Sequence, residues 1–388
     1  MKETRNAFTR RHFLTAISGI GGIMLFKPLR SFAIDETDPR IVAIVNKTIA
    51  IDTHNHIDVP LKKEELPGPE VALKEEMKKS GLSSICMTFA VDYQKLTYEG
   101  EAYERFMNGL DAMDKMLESN QIKRAYNLSG LKKAHKAGTP TVIQSVEGGH
   151  FLEGKIERLG VAYQRGLRQL GLLHDNDASV PLGDIYTNPP KFNGLSDFGK
   201  EVVKECNRLG ILIDLTHCSD AAINDALKLS SKPMVVSHTS LNTQLGQNPS
   251  MAKMMMPRLI SQEQAKIVAN AGGLIGVWRH LTDSPMAYAQ NIKAMVDVVG
   301  VDHVCLGTDT KLTPAYRSPN ANQNRQNNNN NQSKRFGERT NEIWESQHSG
   351  YFYTVVEELL KLGLTEPEII KIGGANFCKV FDEVTKGR

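Results

Sequence analysis

The sequence is poor in cysteine and in long apolar runs, and each shortage excludes a class of protein. Its 388 residues include five cysteines, an odd number without paired spacing, so a disulfide framework is not expected. Cys86, Cys218 and Cys305 lie in or beside apolar runs, which favours core positions over metal ligation. Beyond residue 33, no stretch approaches the ~20 apolar residues that a bilayer-spanning helix needs.

An excess of positive charge is also missing once the N-terminal segment is set apart. The formal net charge of the whole chain is +3. Residues 1–33 contribute six basic residues and one acidic residue, so the remainder has 41 basic and 43 acidic residues, a net charge of −2. No basic patch remains that would indicate nucleic acid as a partner.

The N-terminal segment has the organisation of an export signal. Arg10 and Arg11 are paired, an apolar region continues to Phe26, and Ser31-Phe32-Ala33 forms a small-x-small end. This pattern predicts a twin-arginine signal peptide over residues 1–33, cleaved near Ala33, and a periplasmic or otherwise extracytoplasmic protein without a stable membrane anchor. An uncleaved anchor is the alternative. Export in a folded state suits a protein that acquires a cofactor before it crosses the membrane.

The rest of the chain, residues 34–388, alternates short apolar runs with longer segments of helical period. The runs lack strict polar alternation, as strands buried on both faces of a parallel sheet do. Eight strand–helix units predict one closed (β/α)8 TIM-like barrel, with a doubly wound open sheet as the alternative. The runs are 48–53, 82–90, 140–146, 168–173, 210–216, 232–237, 273–278 and 303–308.

Two helices and one loop can be placed from their residue patterns. In segment 101–118, apolar residues recur at spacings of four, three and four from Phe106 to Leu117, which predicts an amphipathic helix. Segment 196–210 opens on Ser196, a good helix cap, and closes on Gly210. Segment 318–342 is rich in Asn and Gln, so we expect a mobile loop after the eighth strand, on the active-site side; a surface insertion without a role is the alternative.

Residues that can bind a metal or move a proton follow six of the eight runs. These residues are His54 and His56 after run 1, Glu147 after run 3, His174 after run 4, His217 after run 5, His238 after run 6 and Asp309 after run 8. The carboxyl ends of barrel strands form the face on which active sites are built. Imidazole and carboxylate ligands without clustered cysteines favour zinc, with other divalent transition metals such as manganese or iron also compatible.

The pattern is suited to two metal ions that share a carboxylate. Two ions about 3.5–4 Å apart would activate a bridging water molecule as a nucleophile and polarise a carbonyl group. Glu147 is the natural bridge, because a carboxylate has two oxygens whereas an imidazole offers one lone pair.

From about residue 42 to its C-terminus, the chain resembles the membrane (renal) dipeptidases, zinc peptidases of the amidohydrolase-like barrel group. The matching motifs, in order, are DTHNH, SVEGGH, GLSDFGKEVVKECNRLGILIDLTHCS, KPMVVSHTSL, PRLISQEQ, GTD and EIIKIGGANFCKVF. Their order and spacing make the match specific.

The resemblance implies a role for each site residue. His54, the residue at position 56 and Glu147 would hold one zinc ion, and Glu147, His217 and His238 the second. The substrate-contacting histidine corresponds to His174, the arginine that binds the substrate carboxylate to Arg258, and the proton-handling aspartate to Asp309. Considered without the resemblance, Arg258 could equally form a surface salt bridge. The implied reaction is hydrolysis, by a metal-bridging hydroxide, of small peptide substrates, namely dipeptides with a free C-terminal carboxylate. The sequence is also compatible with a homodimer.

The sequence departs from the family pattern in two places. Position 56 is histidine where the family usually has aspartate, which adds one unit of positive charge to the first metal site and should weaken metal affinity there. The segment HDNDASVPLGDIYT, which begins at His174, also differs, so the side chains and chirality that the site accepts are left open. The alternatives to a dipeptidase are a metal-dependent hydrolase of another amide, an ester or a lactone, and a non-catalytic binding protein with a degenerate metal site.

Overall fold

Parallel strands follow one another around a closed barrel in the computed structural model, which describes residues 38–316 and 338–387. The ring closes because the last barrel strand pairs with the first, with Leu306 opposite Asp52. The eight barrel strands are β1 (Ile51–His56), β2 (Ser84–Thr88), β4 (Thr141–Val146), β5 (Leu167–Gly171), β6 (Leu212–Asp214), β7 (Val235–Thr239), β8 (Leu274–Val277) and β9 (Val304–Leu306). The two-residue strands β3 (Lys123–Arg124) and β10 (Thr310–Lys311) lie beside β4 and β1.

The closed ring confirms the predicted (β/α)8 barrel and excludes the open, doubly wound sheet. Each predicted apolar run overlaps one barrel strand, in the predicted order. Strands β3 and β10 were not predicted, because two residues are too few to show a hydrophobic pattern.

Helices cover the outside of the barrel and close one end of it. Their bounds are α1 Pro39–Lys47, α2 Leu73–Ser80, α3 Glu101–Ser119, α4 Leu128–Lys136, α5 Arg158–Gln164, α6 Asp197–Leu209, α7 Asp220–Leu229, α8 Pro249–Met255, α9 Gln262–Asn270, α10 Pro285–Val299, α11 Tyr351–Lys361, α12 Glu366–Ile370 and α13 Asn376–Thr385. The predicted stripe of α3 is buried. Helix α6 begins after Ser196, whose hydroxyl accepts a hydrogen bond from the Gly199 amide, and ends at Gly210, whose φ of 81° is left-handed.

One end of the barrel is sealed by apolar side chains. A buried layer inside the ring takes one residue from each of seven barrel strands, near their N-terminal ends: Ile51, Cys86, Ile143, Leu212, Val235, Leu274 and Cys305. Phe377 and Phe381 of α13 pack against this layer. A second, larger apolar cluster fills the space between the strands and the outer helices. The C-terminal ends of the strands are therefore the end of the barrel that is left to form a solvent-accessible site.

The cysteines behave as predicted from their apolar neighbours. All five lie in the described ranges, and all five are buried free thiols.

No helix within residues 38–316 and 338–387 combines the length and the apolar character required to span a bilayer.

The predicted signal peptide, residues 1–33, and residues 318–337 of the predicted loop lie outside the described residues. The end of that segment, residues 338–342, is described and packs on the barrel. Thr340 is fully buried, and its hydroxyl accepts a hydrogen bond of 2.9 Å from the Asn55 side chain and lies 2.8 Å from the Thr310 hydroxyl. A polar Thr in a low-complexity context gives no sign in the sequence of these tertiary partners.

Candidate metal centre

Glu147 lies at the middle of the C-terminal face, one residue beyond β4, with 3% of its surface exposed. Five imidazoles surround its carboxylate. The Oε1 atom lies 2.9 Å from His217 Nε2, 3.5 Å from His54 Nε2 and 3.6 Å from His238 Nε2, and the Oε2 atom lies 3.4 Å from His174 Nε2 and 3.6 Å from His56 Nε2. The structure thus brings the five histidines that the sequence pattern indicated around one carboxylate.

Local backbone geometry aims these side chains at the barrel axis. On β1, the Nε2 atoms of His54 and His56 are 3.1 Å apart, as expected for residues i and i+2 of a strand. His217 and Asp309 each follow a strand and have φ angles of 69° and 54°, a left-handed conformation that is uncommon for residues other than glycine. Such strained backbone is concentrated at functional sites.

The spacing of the donor atoms fits metal ions. Two ligand atoms about 2.0–2.1 Å from a tetrahedral ion lie about 3.3–3.4 Å apart. The distances from Glu147 to its five imidazoles, 2.9 to 3.6 Å, bracket this value. The Oε2 atom of Glu147 is buried and has no hydrogen-bond partner in the described residues, so it keeps a lone pair for a cation. Three groups of donor atoms each lie within 4.8 Å of one another: His54, His56 and Asp309; Glu147, His174 and His217; and His54, Asp214 and His238.

The Ser237 hydroxyl fixes the orientation of two of these histidines. It donates a hydrogen bond of 2.5 Å to Asp214 Oδ2 and can accept one from the Nδ1–H of His238, at 2.9 Å, and of His54, at 3.3 Å. With the proton on Nδ1, each ring presents an unprotonated Nε2 to the barrel centre, which is the form that binds a metal. Sequence reasoning missed Ser237, although it directly precedes His238.

Tyrosines and an aspartate hold the outer nitrogens of two other histidines. The Tyr93 hydroxyl lies 2.6 Å from His56 Nδ1, and the Tyr186 hydroxyl lies 2.8 Å from His217 Nδ1. Asp175 Oδ1 lies 3.1 Å from the same His217 nitrogen. None of these three partners was predicted.

Burial and neighbouring charge set the protonation of the centre. Burial lowers the pKa of His54 well below its usual range, and also lowers the pKa of His238, so both rings are neutral and able to bind a metal. Burial opposes ionisation of Glu147, but the surrounding imidazoles, His174 first among them, outweigh it and hold its pKa well below the usual range. Burial also disfavours the charged form of His217, yet its hydrogen bonds to Asp175 and Glu147 raise its pKa to about 10, so a metal ion bound by this ring would displace a proton from it.

Asp309 lies at the edge of the centre with 21% of its side chain exposed. Its Oδ1 atom is 3.0 Å from His56 Nε2, and its Oδ2 atom accepts a hydrogen bond of 2.8 Å from His280 Nε2. Burial opposes its ionisation, but the electrostatic influence of the nearby His238 ring and the hydrogen bonds from His280 and His56 hold its pKa well below the usual range. The sequence pattern assigned no role to His280.

His174 is held by a buried carboxylate on its outer side. Its Nδ1 atom lies 2.6 Å from Asp92 Oδ1, and Asp92 is 5% exposed. The second oxygen of Asp92 accepts a hydrogen bond of 2.9 Å from the Asn176 side chain and lies 3.7 Å from His150 Nε2. This arrangement leaves the Nε2 atom of His174 facing Glu147. Asp92 follows β2, a run for which the sequence suggested no functional residue.

Arg258 lies farther out, at the end of a short 3-10 turn, Met256–Arg258. Its Nη2 atom donates a hydrogen bond of 2.8 Å to Asp175 Oδ2, and its guanidinium carbon lies 5.8 Å from the centre of the Tyr186 ring. The side chain is 25% exposed. Arg258 is therefore in a salt bridge, and its partner is the same aspartate that contacts His217.

Known proteins share this architecture. An amidohydrolase from Pseudomonas aeruginosa superposes with a TM-score of 0.67 at 23% identity, over 89% of this chain and 98% of that chain. The probable dipeptidase PvdM from the same organism gives 0.69 at 16% identity over 89% and 98% of the chains. A metallopeptidase from Rhodobacter sphaeroides, liganded with a phosphinate mimic of the dipeptide L-Ala-D-Ala, gives 0.62 at 17% identity over 87% and 99%. At these identities the likeness establishes the fold.

Sequence comparison identifies the family. Dipeptidase tcpJ from Claviceps purpurea (strain 20.1) is 22% identical over 299 residues, which cover 76% of this chain and 63% of that protein, so the chain matches somewhat less than two thirds of that relative. The family model for membrane dipeptidases, peptidase family M19, matches residues 39–316, well over half of the chain. The resemblance seen in the motifs is confirmed: the chain belongs to the membrane dipeptidase family, M19.

Proposed function

We propose that this chain is a metal-dependent dipeptidase that hydrolyses dipeptides with a free C-terminal carboxylate. The observation that carries the proposal is the buried Glu147 carboxylate with five imidazoles within 3.6 Å, on the open face of the barrel. Membership of a metallopeptidase family and the dipeptidase relatives support the reaction class.

Two zinc ions fit the donor set. His54, His56 and Glu147 would hold one ion, and Glu147, His217 and His238 the other. When bound, the two ions would lower the pKa of water and polarise the substrate carbonyl. Histidine at position 56, in place of the usual aspartate, would make the first ion the more weakly held, although the Asp309 carboxylate lies only 3.0 Å from His56 Nε2.

His174 and Asp309 would handle the charge and the protons of the reaction. Burial opposes protonation of His174, but Glu147 and Asp92 raise its pKa, so the ring can carry protons on both nitrogens. With its Nδ1–H donated to Asp92, its Nε2–H would donate a hydrogen bond to the oxyanion that develops on the carbonyl. The carboxylate of Asp309 would accept a proton from the attacking water and transfer it to the leaving amine. Its hydrogen bond from His280 keeps it oriented toward the centre.

Arg258 would bind the C-terminal carboxylate of the substrate. A guanidinium has five N–H donors. Here Nη2 donates to Asp175 and Nη1 to the Met254 carbonyl at 3.5 Å, so N–H groups remain for a substrate carboxylate. The link through Asp175 to His217 keeps the guanidinium close to the second predicted metal site. This geometry favours substrates whose carboxylate lies one residue beyond the scissile carbonyl.

A metal-dependent hydrolase of a neutral amide, ester or lactone is the second candidate. The observation that favours it is the salt bridge between Arg258 and Asp175, since a guanidinium that is already paired gains less from a substrate carboxylate.

Substrates that differ only at the C-terminus separate the two candidates. We expect the zinc-loaded protein to cleave L-Ala-L-Ala or L-Ala-D-Ala in preference to the corresponding amide. Arg258→Ala should lower kcat/KM for the free dipeptide, by an amount that corresponds to about 2–4 kcal/mol of lost transition-state binding. The effect on the amide should be much smaller. Equal cleavage of dipeptide and amide, with neither slowed in Arg258→Ala, would contradict the carboxylate clamp and favour the second candidate.

We also propose export by the twin-arginine pathway, on the basis of the N-terminal residues alone. Protein recovered outside the cytoplasm should lack residues 1–33, and Arg10→Lys combined with Arg11→Lys should retain the precursor inside. Normal export of the double variant would indicate a different route or an anchor.

A further inference from the structure

A cavity of about 440 Å³ opens beside the predicted metal centre. His56 and Tyr93 form its inner wall, and Phe89, Val59 and Tyr316 contribute apolar and aromatic surface. Its volume lies in the range of about 300–1,000 Å³ that is usual for small-molecule sites. It is therefore large enough for a long side chain of a substrate.

The position of the cavity relative to Arg258 indicates which end of a substrate it receives. Arg258 is linked to the centre by a chain of contacts. It donates a hydrogen bond to Asp175, Asp175 contacts His217, and His217 contacts Glu147 at Oε1. His56 contacts the other oxygen, Oε2, and opens onto the cavity. If the C-terminal carboxylate lies at Arg258 and the scissile carbonyl at the centre, the N-terminal residue of a dipeptide lies on the cavity side.

The acidic groups in the cavity wall are already engaged. Asp58 accepts a hydrogen bond of 2.8 Å from Lys311, and Glu65 accepts one of 2.9 Å from the Tyr316 hydroxyl. Lys311 also lies 3.5 Å from Glu338, a carboxylate beyond the cavity wall.

The basic groups in the wall differ in how they are paired. The buried guanidinium of Arg105 donates to the carbonyl oxygens of Val91 and Gln94 and pairs with Glu101. Lys62 is a half-buried residue of the wall, and its ammonium group has no hydrogen-bond or ion-pair partner among the described residues. Within the described part of the wall, Lys62 is thus a cation that is free to bind a ligand.

We propose that this cavity binds the side chain of the substrate's N-terminal residue and that Lys62 selects an acidic side chain there. The inference rests on the proposed dipeptidase function and adds the substrate class to it. The aromatic and aliphatic wall would contact the methylene groups of a glutamate side chain, while the ammonium group of Lys62 would pair with its carboxylate.

Glu-Ala and Gln-Ala test this selection, because they have the same shape and differ by one charge. With the zinc-loaded protein, we expect kcat/KM for Glu-Ala to exceed that for Gln-Ala by about tenfold or more. In Lys62→Met the ratio should fall to about one, whereas Lys62→Arg should keep most of it. Lys63→Met is the matched control, since Lys63 is an exposed neighbour outside the cavity wall, and should leave the ratio unchanged.

The outcomes distinguish this inference from the proposed function. Cleavage of Ala-Ala together with a Glu/Gln ratio near one in the wild type, or an undiminished ratio in Lys62→Met, would overturn the role of Lys62 alone. Faster cleavage of Lys-Ala than of Glu-Ala would overturn it too, because the cavity would then select the opposite charge. If no dipeptide at all were cleaved, the proposed function would fail and this inference with it.

Discussion

Replacing Glu147 by glutamine removes one negative charge from the middle of the predicted metal centre with little change of shape. The side chain is 3% exposed, and its oxygens lie between 2.9 and 3.6 Å from imidazoles of both predicted sites. The amide nitrogen has no lone pair for a metal, so one site loses a ligand outright. Both sites lose the shared charge, and they should weaken together.

The effect on activity should be large. We expect kcat/KM for a dipeptide to fall at least about a hundredfold, roughly 2.7 kcal/mol of transition-state stabilisation. Metal content after dialysis, measured by elemental analysis, should fall below two ions per chain in the same preparation. Glu357→Gln, a change of the same chemistry at a half-exposed residue of α11, is the matched control and should change neither quantity.

The result that would refute this reasoning is a Glu147→Gln protein that retains two metal ions and near-native turnover. Glu147 would then not be the shared ligand, and the account of the centre would have to be rebuilt on the His54, His56 and Asp309 group. A thermal unfolding curve checks that the variant is folded, which excludes unfolding as the cause of any loss of activity.

Three further predictions concern the neighbours of the centre. Ser237→Ala should weaken metal binding about 10- to 100-fold in competition with a chelator, because two histidines lose the hydroxyl that sets their tautomers; unchanged affinity would show that the hydroxyl has no such role. Asp92→Asn should lower kcat at least about tenfold at unchanged metal content, because His174 loses the carboxylate that orients it; unaltered kcat would remove His174 from the reaction. His56→Asp should tighten the binding of the weaker metal ion, since it restores a negative charge; equal or weaker binding would contradict that assignment.

The barrel and the centre of the site could be predicted from the sequence for one physical reason. Strands buried on both faces appear as continuous apolar runs, and the residue after such a run in a barrel must lie on the C-terminal face. The convergence of His54, Glu147 and His238 therefore follows from their positions in the sequence.

The surroundings of the centre could not be predicted in the same way. Asp92 and Asp175 lie in loops, and their partners are 82 and 42 residues away along the chain, so no local pattern reveals the contacts. Likewise, Lys62 is left without an ion-pair partner because nearby carboxylates pair with Lys311 and Arg105 instead. Only the packed structure reveals these pairings.

Metal stoichiometry tests the central claim most directly. Protein loaded with excess zinc and then dialysed should contain two zinc ions per chain by elemental analysis, and dipeptide hydrolysis should follow the occupancy of the second ion in a titration of the metal-free protein. A stable ratio of one ion per chain at full activity would contradict the account, because Glu147 would then have no second ion to bridge.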